Sequence, residues 1–156
     1  MPANNSSKSK RILVANSVNL DLLGNREIEH YGSFTLKDLE EYLVGQAPAI
    51  SAAAGVASIN LEFFQTNDET QFLQKMTGSW DGALINAGAW THTSVAIADR
   101  MAAISLPFIE VHISNIARRE SFRQRSYLAS HACGIVSGLG IDSYTTALFA
   151  ILRSLS

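Results

Sequence analysis

Apolar residues fall into short unbroken runs along this chain, and most of the runs end in a polar cluster. Residues 11–15 (Arg-Ile-Leu-Val-Ala) stop at Asn16, residues 82–85 at Asn86, and residues 108–111 at His112. Runs of this length without alternation are what strands buried on both faces of a parallel sheet require. Residues 58–65 alternate instead, as an outer strand does, and residues 135–137 supply a fifth strand. Between the runs the period lengthens to that of a helix. Thr35 offers an N-cap to a helix with Leu36, Leu39, Tyr42 and Leu43 at helical spacing, and Asn67 or Asp68 caps one through Phe72, Leu73 and Met76. A third helix, residues 94–104, places Val95, Ala98, Met101 and Ala102 on one face. Pro107 stops it and opens the fourth strand. The last helix, residues 142–155, turns Tyr144, Leu148, Ile151, Leu152 and Leu155 inward.

Strand and helix alternate five times, which predicts an α/β fold: a doubly wound five-stranded parallel sheet in the flavodoxin-like order 2-1-3-4-5. The organisation expected is a flexible polar tail over residues 1–10 followed by a single catalytic domain over residues 11–156. The connection from Ser17 to Phe34 is longer than such folds use between a strand and a helix, which marks it as functional or disordered. Gly138-Leu139-Gly140 follows the last strand and lacks the third glycine of a dinucleotide fingerprint, so it predicts a turn.

Composition narrows the classes further. With 47% hydrophobic and only 17% charged residues, the chain has few charges with which to cover its surface, so burial between subunits is expected. A net charge of −2 provides no field for a phosphate backbone, which argues against nucleic acid as a partner. No stretch has the length of a membrane span or the layout of a signal peptide, and a cytoplasmic protein is expected. The single Cys133 lies among apolar neighbours and is expected to be a buried structural thiol.

In a sheet of this order the loops after strands one, three and four open on the same edge. They would bring together Asn19, Arg26 and Tyr31, then Asn86 and His92, then His112, Ser114 and Asn115, with Arg118, Arg119 and Arg123 close behind. Such a site suits a small, oxygen-rich anion. Neither serine, Ser94 or Ser114, lies in a nucleophile elbow, and the histidines lack metal-ligand spacing. Proton transfer by Tyr31, His92 and His112 is then the simplest chemistry. A phenol acts as a base near neutrality only where positive charge favours its anion, and Arg26 lies five residues from Tyr31 on the same loop. His30 and His131 are expected at the surface, Arg118 in solvent or an interface, and Trp90 in packing.

Four motifs in order, Asn19-Leu20 with Leu22-Leu23-Gly24, Arg26-Glu27 and Tyr31-Gly32; Asn86-Ala87-Gly88-Ala89 with Thr91-His92-Thr93-Ser94; Glu110-Val111-His112-Ile113-Ser114-Asn115; and Arg119-Glu120 with Phe122-Arg123 and Ser126-Tyr127, resemble type II 3-dehydroquinate dehydratase. The resemblance implies a lyase that reversibly removes water in the anti sense from 3-dehydroquinate, giving 3-dehydroshikimate through an enolate, without Schiff base, metal or organic cofactor. It matches Tyr31 to the base, Arg26 to the residue that holds it as an anion, His112 to the general acid, Glu110 to the partner that orients it, and Asn19 to the residue that positions a water on the enolate. Asn86, His92 and Arg123, with Ile113 and Ser114, match substrate contacts. Arg119 matches a second lid arginine, and Asp99 a residue that reaches a neighbouring subunit's site. The family's assembly implies a homo-oligomer, a dodecamer of four trimers. The reaction serves the shikimate pathway of aromatic amino acid biosynthesis or quinate catabolism.

The chain departs from the family pattern at the lid. Asn-Gly-Pro-Asn-Leu reads here Asn16-Ser17-Val18-Asn19-Leu20, Arg-Glu-Pro reads Arg26-Glu27-Ile28, and a histidine is replaced near Ala117. An altered lid bears on turnover rate. The competing expectation is a small-anion binding protein that has kept the pocket and lost turnover.

Overall fold

In a computed structural model, described here over residues 9–156, five parallel strands form one sheet in the order β2-β1-β3-β4-β5. The strands are β1 (Lys10–Asn16), β2 (Ile59–Gln65), β3 (Gly82–Asn86), β4 (Phe108–His112) and β5 (Gly134–Ser137). Most of the expected tail, residues 1–8, lies outside the described residues, and Lys10 already belongs to β1. The three central strands are those with unbroken apolar runs. β3 and β4 are buried along their whole length, as is β1 from Ile12 onward, whereas the alternating β2 is an edge.

Five helices surround the sheet: α1 (Ile28–Tyr31), α2 (Leu36–Ala54), α3 (Glu69–Met76), α4 (Val95–Ala103) and α5 (Asp142–Ser154). One core joins Ile12, Val14, Leu84, Ile109 and Val111 to α2 and α5, and the other joins Leu13, Ala15, Ala83, Ile85 and Phe108 to α3 and α4. Alternate strand residues serve opposite cores, as a pleated sheet demands. Thr35 and Asp38 cap α2 reciprocally, each side chain accepting from the other's backbone N–H. Asp68 caps α3 and Ser94 caps α4. A Cβ on Gly82 would lie 2.8 Å from the Ile151 side chain, so the glycine is what lets α5 pack close against the start of β3.

Four expectations need correcting. Tyr42 stands at the margin of the inner stripe of α2 and is exposed, its hydroxyl reaching Asp142. Val95 and Ala102 face solvent, because the buried stripe of α4 runs through Ile97, Ala98 and Met101. Cys133 is exposed despite apolar neighbours, since among the described residues the segment that leads into the edge strand β5 is left open. The long connection after β1 is not structureless, for it holds a 3-10 turn over Leu20–Leu22 and the short helix α1.

The register places the polar ends side by side. Asn16 pairs with Gln65 on one flank and Asn86 on the other, and His112 pairs with Ser137. These residues mark the carboxyl edge of the sheet at the switch between β1 and β3, where open α/β folds put their ligands.

Candidate active site

A pocket opens at that edge. The connection after β1 supplies Asn19, Arg26 and Tyr31; that after β3, Asn86, Gly88 and His92; that after β4, His112, Ile113, Ser114, Arg119 and Arg123. Of the expected site residues, ten line it directly. Glu110 lies fully buried behind His112, and Asp99 is exposed on α4 away from this chain's pocket. Asn115 and Arg118 line a neighbouring hollow instead, and Asn115 accepts from the Ala117 amide to cap a 3-10 turn.

Two guanidinium groups converge on the Tyr31 hydroxyl. Arg26 Nη2 and Arg119 Nη1 each lie 3.4 Å from Tyr31 Oη, and both guanidiniums also sit over the ring, with Cζ 4.5 and 5.8 Å from its centroid. Arg26 also donates to the Asn19 carbonyl within the connection after β1, and Arg119 to Ser114 Oγ within the connection after β4, so the contact of Arg119 with Tyr31 is what ties the two connections together. Burial alone would lower the pKa of Arg119. The hydrogen bond and charge of Tyr31, then the charges of Glu120 and Glu27, outweigh it and leave the group above its ordinary value.

The histidines have definable tautomers. His112 Nε2 lies 2.6 Å from Glu110 Oε1, so Nε2 carries a hydrogen toward the carboxylate and Nδ1 is left for the pocket. Ser126 Oγ donates to the same carboxylate at 2.7 Å and accepts from the Leu128 and Ala129 amides. His92 Nδ1 lies 2.7 Å from the Arg125 carbonyl. A carbonyl only accepts, so Nδ1 is protonated and Nε2 of the neutral ring is an acceptor. Burial, ahead of the opposing Arg125 hydrogen bond, holds the His92 pKa below its ordinary value, with the charges of His112 and Arg123 acting in the same direction. The two imidazoles stack with centroids 6.4 Å apart.

Three residues support this arrangement through contacts that the sequence does not reveal. Asn67 Oδ1 accepts the Asn19 amide at 2.9 Å and so anchors the connection after β1 from the loop after β2. Ser126 braces Glu110. Tyr144, marked by its helical period as a core residue, reaches both Asn16 and Asn86 with its hydroxyl. His30 and His131 are at the surface, and Trp90 packs edge-on against Phe72.

The chain matches the family described as Dehydroquinase class II over residues 10–152. It is 48% identical over 147 residues to a 3-dehydroquinate dehydratase of Prochlorococcus marinus (strain MIT 9515), covering 92% of this chain and 96% of the relative. To the 3-dehydroquinate dehydratase of Geotalea daltonii it is 47% identical over 146 residues, with 92% and 96% covered. Among solved structures, the type II dehydroquinase from Propionibacterium acnes superposes with a TM-score of 0.80 at 38% identity, covering 92% of this chain and 97% of that one.

Proposed function

This chain belongs to the class II dehydroquinase family, and we propose that it dehydrates 3-dehydroquinate to 3-dehydroshikimate with Tyr31 as base and His112 as acid. The observation that carries the assignment is the pair of guanidiniums at 3.4 Å from Tyr31 Oη, in the same pocket as an imidazole backed by a buried carboxylate. Positive charge on two sides stabilises the oxyanion a phenol must carry to accept a proton from carbon.

In the first step Tyr31 Oη takes the proton from the carbon alpha to the ketone, and the electron pair moves onto the carbonyl oxygen as an enolate. Asn19, whose backbone is held by Asn67 and Arg26, positions a water against that oxygen. In the second step the enolate collapses, the carbon–oxygen bond at the beta position breaks, and the proton on His112 Nδ1 leaves with the hydroxyl as water. For Nδ1 to donate while Nε2 faces Glu110, the ring must start as an imidazolium, whose charge the buried carboxylate balances. The substrate's hydroxyls and carboxylate meet Asn86, His92 Nε2, the backbones of Ile113 and Ser114, and Arg123. A neutral His92 accepts a hydroxyl hydrogen without adding a further cation beside His112 and Arg123.

We further propose a trimer-based dodecamer in which Asp99 reaches a neighbouring subunit's pocket. Asp99 is exposed on α4 one turn after Val95, a large apolar residue left uncovered in the single chain. Light scattering reads the mass. The decisive experiment for the activity is ultraviolet absorbance during incubation of the purified protein with 3-dehydroquinate. A dehydratase generates a conjugated enone and a rising signal, whereas a protein that only binds the substrate gives none.

A further inference from the structure

Tyr144 is the fully buried ionisable group that the chemistry above leaves unused, and its ring lies 0% exposed in the core beneath the sheet edge. It projects from the first turn of α5 onto the face of the sheet that presents Ile12, Val14 and Leu84, and the same face presents Asn16 and Asn86 at the strand ends. The hydroxyl lies 2.8 Å from Asn86 Nδ2 and 2.6 Å from Asn16 Oδ1.

The direction of each hydrogen bond follows from one backbone group. The Gly88 amide can only donate, and it lies 3.1 Å from the Asn86 side chain, so the atom it meets is Oδ1. The other end of that carboxamide is then Nδ2, which can only donate, and Tyr144 Oη must accept from it. The one hydrogen on Tyr144 Oη goes to Asn16 Oδ1. A relay runs from the Gly88 amide through Asn86 and Tyr144 to Asn16, with its polarity set at the start. Burial, against the smaller effect of the Asn86 hydrogen bond, pushes the Tyr144 hydroxyl far above the ordinary phenol range, so it remains protonated and the relay keeps its direction.

Clamped at both ends, the Asn86 amide has one donor left, the second hydrogen on Nδ2, and Asn86 lines the pocket. We propose that Tyr144 is a positioning residue that holds the Asn86 carboxamide in the single orientation in which this free N–H serves the substrate. Tyr144 touches no substrate itself and acts through Asn86, and the inference rests on the dehydratase assignment above. An amide tethered only by Gly88 is free to rotate, and an oriented donor in a water-poor site is worth more than one that must be ordered on binding.

The test is steady-state kinetics of Tyr144→Phe on the assembled enzyme, at a temperature where circular dichroism shows the variant folded. Loss of a binding contact made equally in ground and transition states raises KM and spares kcat. The expected result is a KM rise of about five- to tenfold with kcat within about twofold, and an Asn86→Ala/Tyr144→Phe chain indistinguishable from Asn86→Ala. A lower unfolding temperature with KM unchanged, or additive effects in the double variant, overturns the proposal and leaves Tyr144 a core residue. If the phenylalanine chain is too unstable to assay, it is compared with wild type in sucrose, which strengthens burial and favours the folded state. A KM rise there supports the proposal, and an unchanged KM overturns it. An inactive wild-type enzyme would instead count against the dehydratase assignment, so the two failures are distinguishable.

Discussion

Replacing Arg26 or Arg119 with glutamine removes one of the two positive charges beside Tyr31 while leaving a side chain of similar reach. Two unit charges 4 Å apart at an effective dielectric near 20 interact by about 4 kcal/mol. Neither arginine is free to deliver all of it. Arg26 lies 3.5 Å from Glu27 with its side chain 26% exposed, and Arg119 lies 3.5 Å from Glu120. Allowing about half for that neutralisation and for solvent screening leaves roughly 2 kcal/mol per arginine, or about 30-fold in rate at 1.36 kcal/mol per decade. The expected outcome is a kcat about 30-fold lower for each single variant and on the order of 1,000-fold lower for Arg26→Gln/Arg119→Gln, read from enone absorbance at saturating substrate. Arg119 is the less exposed of the two, so its loss should be at least as costly. If each variant keeps kcat within about threefold and changes only KM, the arginines bind substrate carboxylate, and charge stabilisation of the phenolate is the wrong account.

Tyr31→Phe should abolish turnover with an unchanged circular dichroism spectrum, since the ring is only partly buried and its packing survives; full activity would refute the role of the hydroxyl. Glu110→Gln removes the carboxylate that His112 Nε2 faces, and a hydrogen bond to a charged partner is worth up to about 3 kcal/mol to the proposed acid. A kcat drop of about 100-fold is expected by the same assay. His92 has its folded pKa below the unfolded value, so the unfolded chain binds more protons as pH falls through the ordinary histidine range near 6.5. Its contribution to stability is therefore present above that range and is lost on acidification, and His92→Gln should flatten the urea midpoint between about pH 5 and 7 relative to wild type. Thr35→Ala removes one half of the reciprocal cap on α2 and should cost about 1 kcal/mol in chemical denaturation without altering kcat.

The pattern of the chain carried the strand order and the edge on which the site forms, because runs buried on both faces and helices of period 3.6 leave few ways to wind a sheet. The pocket residues were legible for a related reason: each follows a strand end, and register alone brings strand ends together. What the period could not reveal is what a side chain does at its tip. Tyr144 reads as a core residue by spacing, and its ring is one, yet its hydroxyl meets partners 58 and 128 positions away. Ser126 falls in the fourth motif, which does not say that its hydroxyl meets a carboxylate 16 positions earlier. The misplacements of Val95 and Tyr42 share a cause, since both lie beside the buried stripe, where a rotation of a few tens of degrees about the helix axis decides exposure. Asp99 is marked by the family likeness alone, and within one chain it lies outside the pocket.

The proposed base and acid are built on supports of different stiffness, and this bears on the altered sequence of the connection after β1. His112 and Glu110 belong to β4, a strand buried throughout, and Asn86 is pinned through α5; these groups are fixed by the cores. Tyr31 closes α1, a single turn entered through Glu27 at φ 23 and ψ 61, a conformation that side chains other than glycine rarely adopt. A proline at position 28, as the family pattern has it, would press the preceding residue toward extended backbone, away from the geometry Glu27 holds. Ile28 is therefore compatible with this lid where proline would conflict with it, and Ile28 is 60% exposed, so no core packing is forfeited. The strain falls on the residue next to Arg26, one of the two guanidiniums beside Tyr31 Oη. Any cost of the departures from the family pattern should thus appear in how often the lid brings Arg26 and Tyr31 together, and not in the placement of the acid.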